Sequence, residues 1–420
     1  MRAKAVRLYG ANDLRLEEFE LPSIKRDEIL AKVVSDSLCM SSFKASNQGS
    51  NHKRVPDDID QNPIIIGHEF CGEIIEVGDE WKDNFFSGQK FAIQPALNDP
   101  NGPVGLLSAP GYSYPFIGGD AQYVIIPPEV MQNGCLLPFE GEAFYLGSLA
   151  EPISCVAGAC HANYHTKQGS YNHEMGIVED GALALLAGVG PMGLAAIDYI
   201  FHCDRKPKFM LVTDIDQERL NRAESIYSKE RALSQGIEIK YINSAKVDSS
   251  YLKSISPENG YNDVFVFAPV ASLIEQADEI LALDGCLNFF AGPSDPKFSA
   301  SMNFYDIHYS ATHVVATSGG NTNDLKEALD LMSNGGVDPS ALITHVGGLN
   351  AVPETTLNLP NVPGGKKLIY THIDFPLTAL DEFKNNDGEL YKQLGMLIDQ
   401  NNGLWSPKAE KYLLENAPKI

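Results

Sequence analysis

A chain of 420 residues has room for two domains, each able to bury its own core, which excludes a single small module. Hydrophobic residues at 44% and charged residues at 21% describe a folded globular protein, and no run reaches the ~18 apolar residues of a spanning helix. Lys+Arg total 32 against 55 Asp+Glu, a formal net charge of −23 with no basic cluster, so neither nucleic acid nor membrane is an expected partner.

The N-terminal MRAKAVRLYGANDLRLEEF lacks the apolar core of a signal peptide, and a cytoplasmic location is expected. Seven cysteines (39, 71, 135, 155, 160, 203 and 286) include no C-x-x-C pair and are expected to be reduced, most as small core residues. Residues 1 to about 130 alternate short apolar runs with turn residues: RAKAVRLYG, DLRLEEFEL, EILAKVVSDSLC, CGEIIEVGDE, QKFAIQP and AQYVIIPP. This period-2 pattern predicts a β-rich domain, and the polar NQGSNHKRVPDDIDQNP reads as a surface loop.

From about 150, strand and helix patterns alternate: ALALLAG, GLAAIDYIFH, KFMLVTD, QERLNRAESIYSKERAL, IEIKYI, DVFVFAP, SLIEQADEILAL, GCLNFFAGP and HVVATSGG. Six strands in βαβ order predict an α/β doubly wound parallel sheet. After about 340 the pattern is irregular until LIYTHIDF and a terminal helix, and periodicity assigns this tail to neither domain.

Gly188-Val189-Gly190-Pro191-Met192-Gly193 fits G-x-G-x-x-G between a strand and a helix, with Asp214 closing the next strand. Gly188 would permit the tight turn, Gly190 backbone approach to a pyrophosphate, and Gly193 close helix–strand packing, with Pro191 and Met192 in the loop between. A carboxylate at Asp214 would accept from the ribose hydroxyls and repel a 2′-phosphate, favouring NAD(H) over NADP(H). Arg219, five residues on, is the cation that a 2′-phosphate would use.

In the first domain Cys39 sits in SLCMSSFK, His68-Glu69 in PIIIGHEFCGEIIEVGD, and Glu151 begins EPIS. A thiolate, an imidazole and carboxylates are donors that a catalytic Zn²⁺ takes. GHEFCGEIIEVG and GVGPMG resemble the signature and nucleotide loop of the zinc-dependent medium-chain dehydrogenases, a resemblance that covers nearly the whole chain. Glu-Pro-Ile-Ser is similar to the sorbitol dehydrogenase branch, in which a glutamate replaces the third cysteine ligand. Within it, SLCMSSFK and the tail ITHVGGLNAVPETTLNLPNVPGGKKLIYTHIDF look most like the L-sorbose-1-phosphate reductases.

The resemblance implies a GroES-like β-barrel catalytic domain over residues 1–155, completed by 341–420, and a Rossmann dinucleotide-binding domain over 156–340. It implies Cys39 and His68 as zinc ligands, Glu69 as a ligand or close neighbour, and Glu151 as a ligand directly or through water. A homodimer or homotetramer is implied as well. The stretch QPALNDPNGPVGLLSAPGYSYPFIGG lacks the four cysteines with which many relatives hold a structural zinc, so one catalytic zinc per chain is expected. Where the branch has Cys-Gly-Ser-Asp and then a His, this chain has Cys39-Met40-Ser41-Ser42-Phe43-Lys44.

The expected chemistry is interconversion of a ketose, or ketose phosphate, and its polyol, with L-sorbose 1-phosphate to D-glucitol 6-phosphate as the named reaction. Dehydrogenation of unphosphorylated polyols or other secondary alcohols, and nucleotide binding without catalysis, are the alternatives. Ser41 is the hydroxyl placed to pass a proton, and Lys44 either continues that relay, contacts the ribose or attracts a substrate phosphate. Lys53, Arg54, Lys366 and Lys367 are further candidate cations, while His161, His165 and His173 fall in what reads as a polar loop.

Overall fold

The strand Ile29–Leu38 carries an apolar run, ILAKVV, with almost every side chain buried, so it needs cover on both faces and a neighbour on each edge. Phe70–Val77 runs antiparallel along one edge, and Tyr123–Ile126 then Lys366–Tyr370 run antiparallel along the other. Ile343–Gly348 lies parallel to Lys366–Tyr370 and extends the sheet. The irregular tail thus inserts strands beside the N-terminal ones, because its segment KKLIY is wholly buried and finds its open edge there. Ile29, Val33, Ile74, Phe91 and Val124 form the core of this sheet, each worth roughly 1.5–3 kcal/mol when fully removed from water.

The computed structural model describes residues 1–167 and 169–420, and the chain divides into two units: Met1–Glu151 with Ala328–Ile420, and Pro152–Glu327. The second unit holds a six-stranded, all-parallel sheet in the spatial order 238–243, 209–214, 182–186, 261–266, 281–289, 313–315. This is the doubly wound order in which the third strand in sequence lies at one edge and the first lies centrally. All five residues of ALALL are buried, as a central strand covered on both faces requires.

Three local expectations change. QERLNRAESIYSKERAL forms two helices, Gln217–Ile226 and Lys229–Ser234, because Ser228 caps the second by accepting from Arg231 N at 3.2 Å. SLIEQADEILAL is helical only to Ile280, after which LAL begins the strand Leu281–Phe289. His161 lies on the helix Ala150–Ala162, and His165 and His173 lie on a two-stranded hairpin rather than in a polar loop. Among the described residues no helix is long and apolar enough to cross a membrane.

Candidate active site

Cys39 follows the last residue of the strand Ile29–Leu38 and stands at the N-cap of the helix Met40–Gln48, where its side chain makes no cap hydrogen bond. On one side, Ser37 N donates to Glu69 O at 3.1 Å, which brings the His68-Glu69 turn alongside. On the other, Lys367 is in register with Leu38, which sets Lys366 against the same strand end. Three strands therefore deliver Cys39, His68, Glu69 and Lys366 to one place.

The ligand atoms of Cys39, His68 and Glu69 all lie within 4.8 Å of one another. Ser42 Oγ is 3.1 Å from His68 Nδ1 and orients the ring. His68 Nε2 faces Ser41 Oγ at 3.3 Å and Tyr112 OH at 3.2 Å, and Ser41 Oγ is also 3.0 Å from Cys39 Sγ. Burial lowers the pKa of His68 and keeps the ring neutral, as a metal ligand must be. Burial, then the charge of Glu69, pushes the Cys39 thiol up to about 11. A thiol, a neutral imidazole and a carboxylate so close together fit a zinc ion, whose charge reverses the logic that protonates the thiol.

Glu69 is 1% exposed, and both its carboxylate oxygens accept from Lys366 Nζ while Oε2 also accepts from Ser37 Oγ. Burial alone would raise this carboxyl, but the Lys366 ammonium and these hydrogen bonds outweigh it and hold the pKa below the ordinary value. Glu151, half-buried at the start of its helix, stands outside the three-residue cluster, and its charge acts on Cys39, His68 and Lys366. Lys44 is half-buried on the helix Met40–Gln48, one turn beyond Ser41.

Tyr112 escapes sequence reasoning, because nothing near it in the chain marks it out from the lobe's other tyrosine, Tyr114. Lys366 is visible there only as one lysine among several. The lobe, 94–119, is held by its own bonds: Ser113 Oγ accepts from Ala109 N and donates to Arg54 O, while Ser108 Oγ accepts from Val104 N. Gly111 (φ +79°) presses so closely on the His68 turn that a Cβ there would lie 2.0 Å from Gly67 O. Gly67 (φ +92°) and Gly119 in turn enclose Asp36, whose carboxyl shares a buried space with that of Asp120.

In the second unit, Gly190 caps the helix Pro191–His202 and Pro191 occupies its first position, with Met192 next. A Cβ on Gly193 would sit 2.3 Å from Gly188 O, and one on Gly188 2.8 Å from Leu185 Cβ, whereas one on Gly190 meets nothing within 4 Å. Close packing thus demands glycine at 188 and 193, while Gly190 faces open space at a helix N-terminus, where a pyrophosphate is favoured. Asp214 ends the neighbouring strand and accepts from Asp216 N at 3.0 Å, and Arg219 is exposed on the following helix. His165, Asp284 and His313 also cluster. His165 Nδ1 meets Asp284 O at 3.0 Å and Nε2 meets Asp263 Oδ1 at 3.0 Å, which commits both ring nitrogens to tying the hairpin to the sheet.

A doubly wound nucleotide fold and a Cys-His-Glu cluster on a separate β-rich unit define a zinc-dependent alcohol dehydrogenase architecture. Residues 25–133 match the alcohol dehydrogenase GroES-like domain. The chain is 51% identical to mannitol-1-phosphate 5-dehydrogenase of Aliivibrio fischeri, over 97% of this chain and 96% of that one. It is 50% identical to L-sorbose 1-phosphate reductase of Klebsiella pneumoniae, over 99% and 98%. A zinc-binding dehydrogenase of Sinorhizobium meliloti solved with NADP superposes at a TM-score of 0.70 and 18% identity, over 88% of this chain and 99% of that one. The chain belongs to the zinc-dependent medium-chain dehydrogenases and is an oxidoreductase.

Proposed function

We propose that this protein interconverts a ketose phosphate and a polyol phosphate, using NAD(H) and one zinc held by Cys39, His68 and Glu69 with Glu151 nearby. Two relatives near 50% identity over nearly the full chain, both named for phosphorylated hexitol or ketose substrates, carry this reading. L-Sorbose 1-phosphate to D-glucitol 6-phosphate is the first candidate. The equally similar mannitol-1-phosphate relative supports a second, in which oxidation at carbon 5 leaves the phosphate four carbons from the carbonyl.

When bound, zinc supplies Lewis-acid polarisation of the substrate oxygen and the nicotinamide supplies hydride. The protein's own part is to hold the proton. Ser41 and Tyr112 each present a hydroxyl within 3.3 Å of His68 Nε2, and burial raises the Tyr112 pKa well above 10, so it remains a proton donor. Lys44, one helical turn from Ser41, stands where relatives carry a histidine and continues the relay outward. Asp214 accepts from the ribose hydroxyls, which favours NAD(H) over NADP(H).

NADH oxidation with each ketose phosphate and its free sugar, before and after zinc is stripped and restored, tests this reading. Zinc-dependent turnover of a phosphate ester, with one zinc per chain by elemental analysis, is the expected result. Turnover that survives removal of the metal, or that ignores the phosphate, overturns it.

A further inference from the structure

We propose that Arg54, assisted by Lys53, binds the phosphate of the substrate, a proposal that rests on the phosphorylated-substrate reading above. The Arg54 guanidinium carbon lies 5.7 Å from the centre of the Tyr112 ring. The His52 ring stacks on the same tyrosine at 6.0 Å. The hydroxyl of that tyrosine is 3.2 Å from His68 Nε2, so a single aromatic ring separates Arg54 from the candidate metal ligand.

Arg54 is held before any ligand arrives. Its Nη1 donates to Leu107 O at 3.0 Å, its carbonyl accepts from Ser113 Oγ at 2.7 Å, and its backbone N–H donates to His52 Nδ1 at 3.3 Å. Those bonds leave most of a five-donor fork available, the geometry that suits a phosphate. Elsewhere in this acidic chain arginines hold carboxylates, as Arg7 does with Glu17, Arg15 with Asp13 and Arg231 with Asp198. Among the described residues no carboxylate pairs with Arg54 or Lys53, although Asp57, Asp58 and Asp60 follow within the same loop. An arginine without a carboxylate partner, beside the candidate metal cluster in a chain of net charge −23, marks where an anion is expected.

His52 reports the same local field. Burial, followed by the charges of Arg54, Lys53 and Lys44 in that order, pushes its pKa down to about 4. With Nδ1 accepting from the backbone, its proton is on Nε2, so the ring is a neutral donor next to Arg54.

The test compares kcat/KM for a ketose 1-phosphate, a ketose 6-phosphate and the free ketose in wild type, Arg54→Gln, Arg54→Lys and Lys53→Gln. Competition by inorganic phosphate is measured alongside. Arg54→Gln should lower the preference for phosphate ester over free sugar by about 10- to 100-fold, chiefly through KM, the range for hydrogen bonds to a charged group. It should weaken inhibition by inorganic phosphate in parallel, with Arg54→Lys restoring part of both and Lys53→Gln losing less. A wild type that prefers the phosphate ester, with variants that keep the whole preference, overturns the assignment of Arg54 while leaving the substrate reading intact. A wild type without preference overturns the substrate reading itself. Unchanged zinc content and melting temperature separate either result from misfolding.

Discussion

Glu69 illustrates how much rests on a single buried cation. Lys366→Met should cost ~3–5 kcal/mol, because it leaves an uncompensated carboxylate in a dry site, and Glu69→Gln added to it should recover a large part. Urea unfolding of the metal-free variants checks this. Cys39→Ser should fold normally and retain well under one zinc per chain by elemental analysis, since the thiolate is the softest donor of the three. Asp36 and Asp120 set a pH dependence. Burial raises both carboxyls, Asp120 to about 8, so the folded state binds a proton that the unfolded chain releases near pH 4. The stability associated with that proton is fully present below about pH 4 and lost as pH rises through about 8. Asp120→Asn should therefore melt higher than wild type at pH 8.5, and the gain should shrink toward pH 4.

At the scale of elements, the nucleotide turn separates two roles of glycine. Gly193→Ala drives a methyl into the Gly188 carbonyl and should destabilise the protein by about 2 kcal/mol or more. Gly190→Ala meets no protein atom, so it should melt like wild type yet bind NADH at least about tenfold more weakly by fluorescence titration, a loss of ~1.4 kcal/mol. These elements are legible in the sequence because their signals are local: a strand, a glycine loop, a helix and an acid lie within one βαβ unit. Cys39, His68 and Glu69 are legible through motif resemblance. The Ser228 helix break is missed because an uninterrupted helical pattern conceals a capping serine. Tyr112 and Arg54 are missed as partners because their contacts cross the chain between two irregular segments, where no periodicity operates.

Across the whole molecule, the unit that holds the metal candidates is discontinuous, and its two pieces are joined by buried polar bonds. Glu410, near the end of the chain, accepts from Phe144 N at 2.6 Å, Tyr145 N at 2.8 Å and Tyr370 OH at 2.9 Å. Glu410→Ala orphans two backbone donors at a buried helix start and should cost about 2–3 kcal/mol, read as a lower urea midpoint. The Glu69–Lys366 pair has a further consequence, one of timing. Its partners are 297 residues apart, so a ribosome adding ~5–20 residues each second makes the carboxylate ~15–60 s before its cation. Pro152–Glu327, by contrast, is a continuous stretch and is complete in the nascent chain while the other unit still lacks three of its strands. Cys39, His68 and Glu69 are thus all made long before the cation that neutralises the buried carboxylate among them.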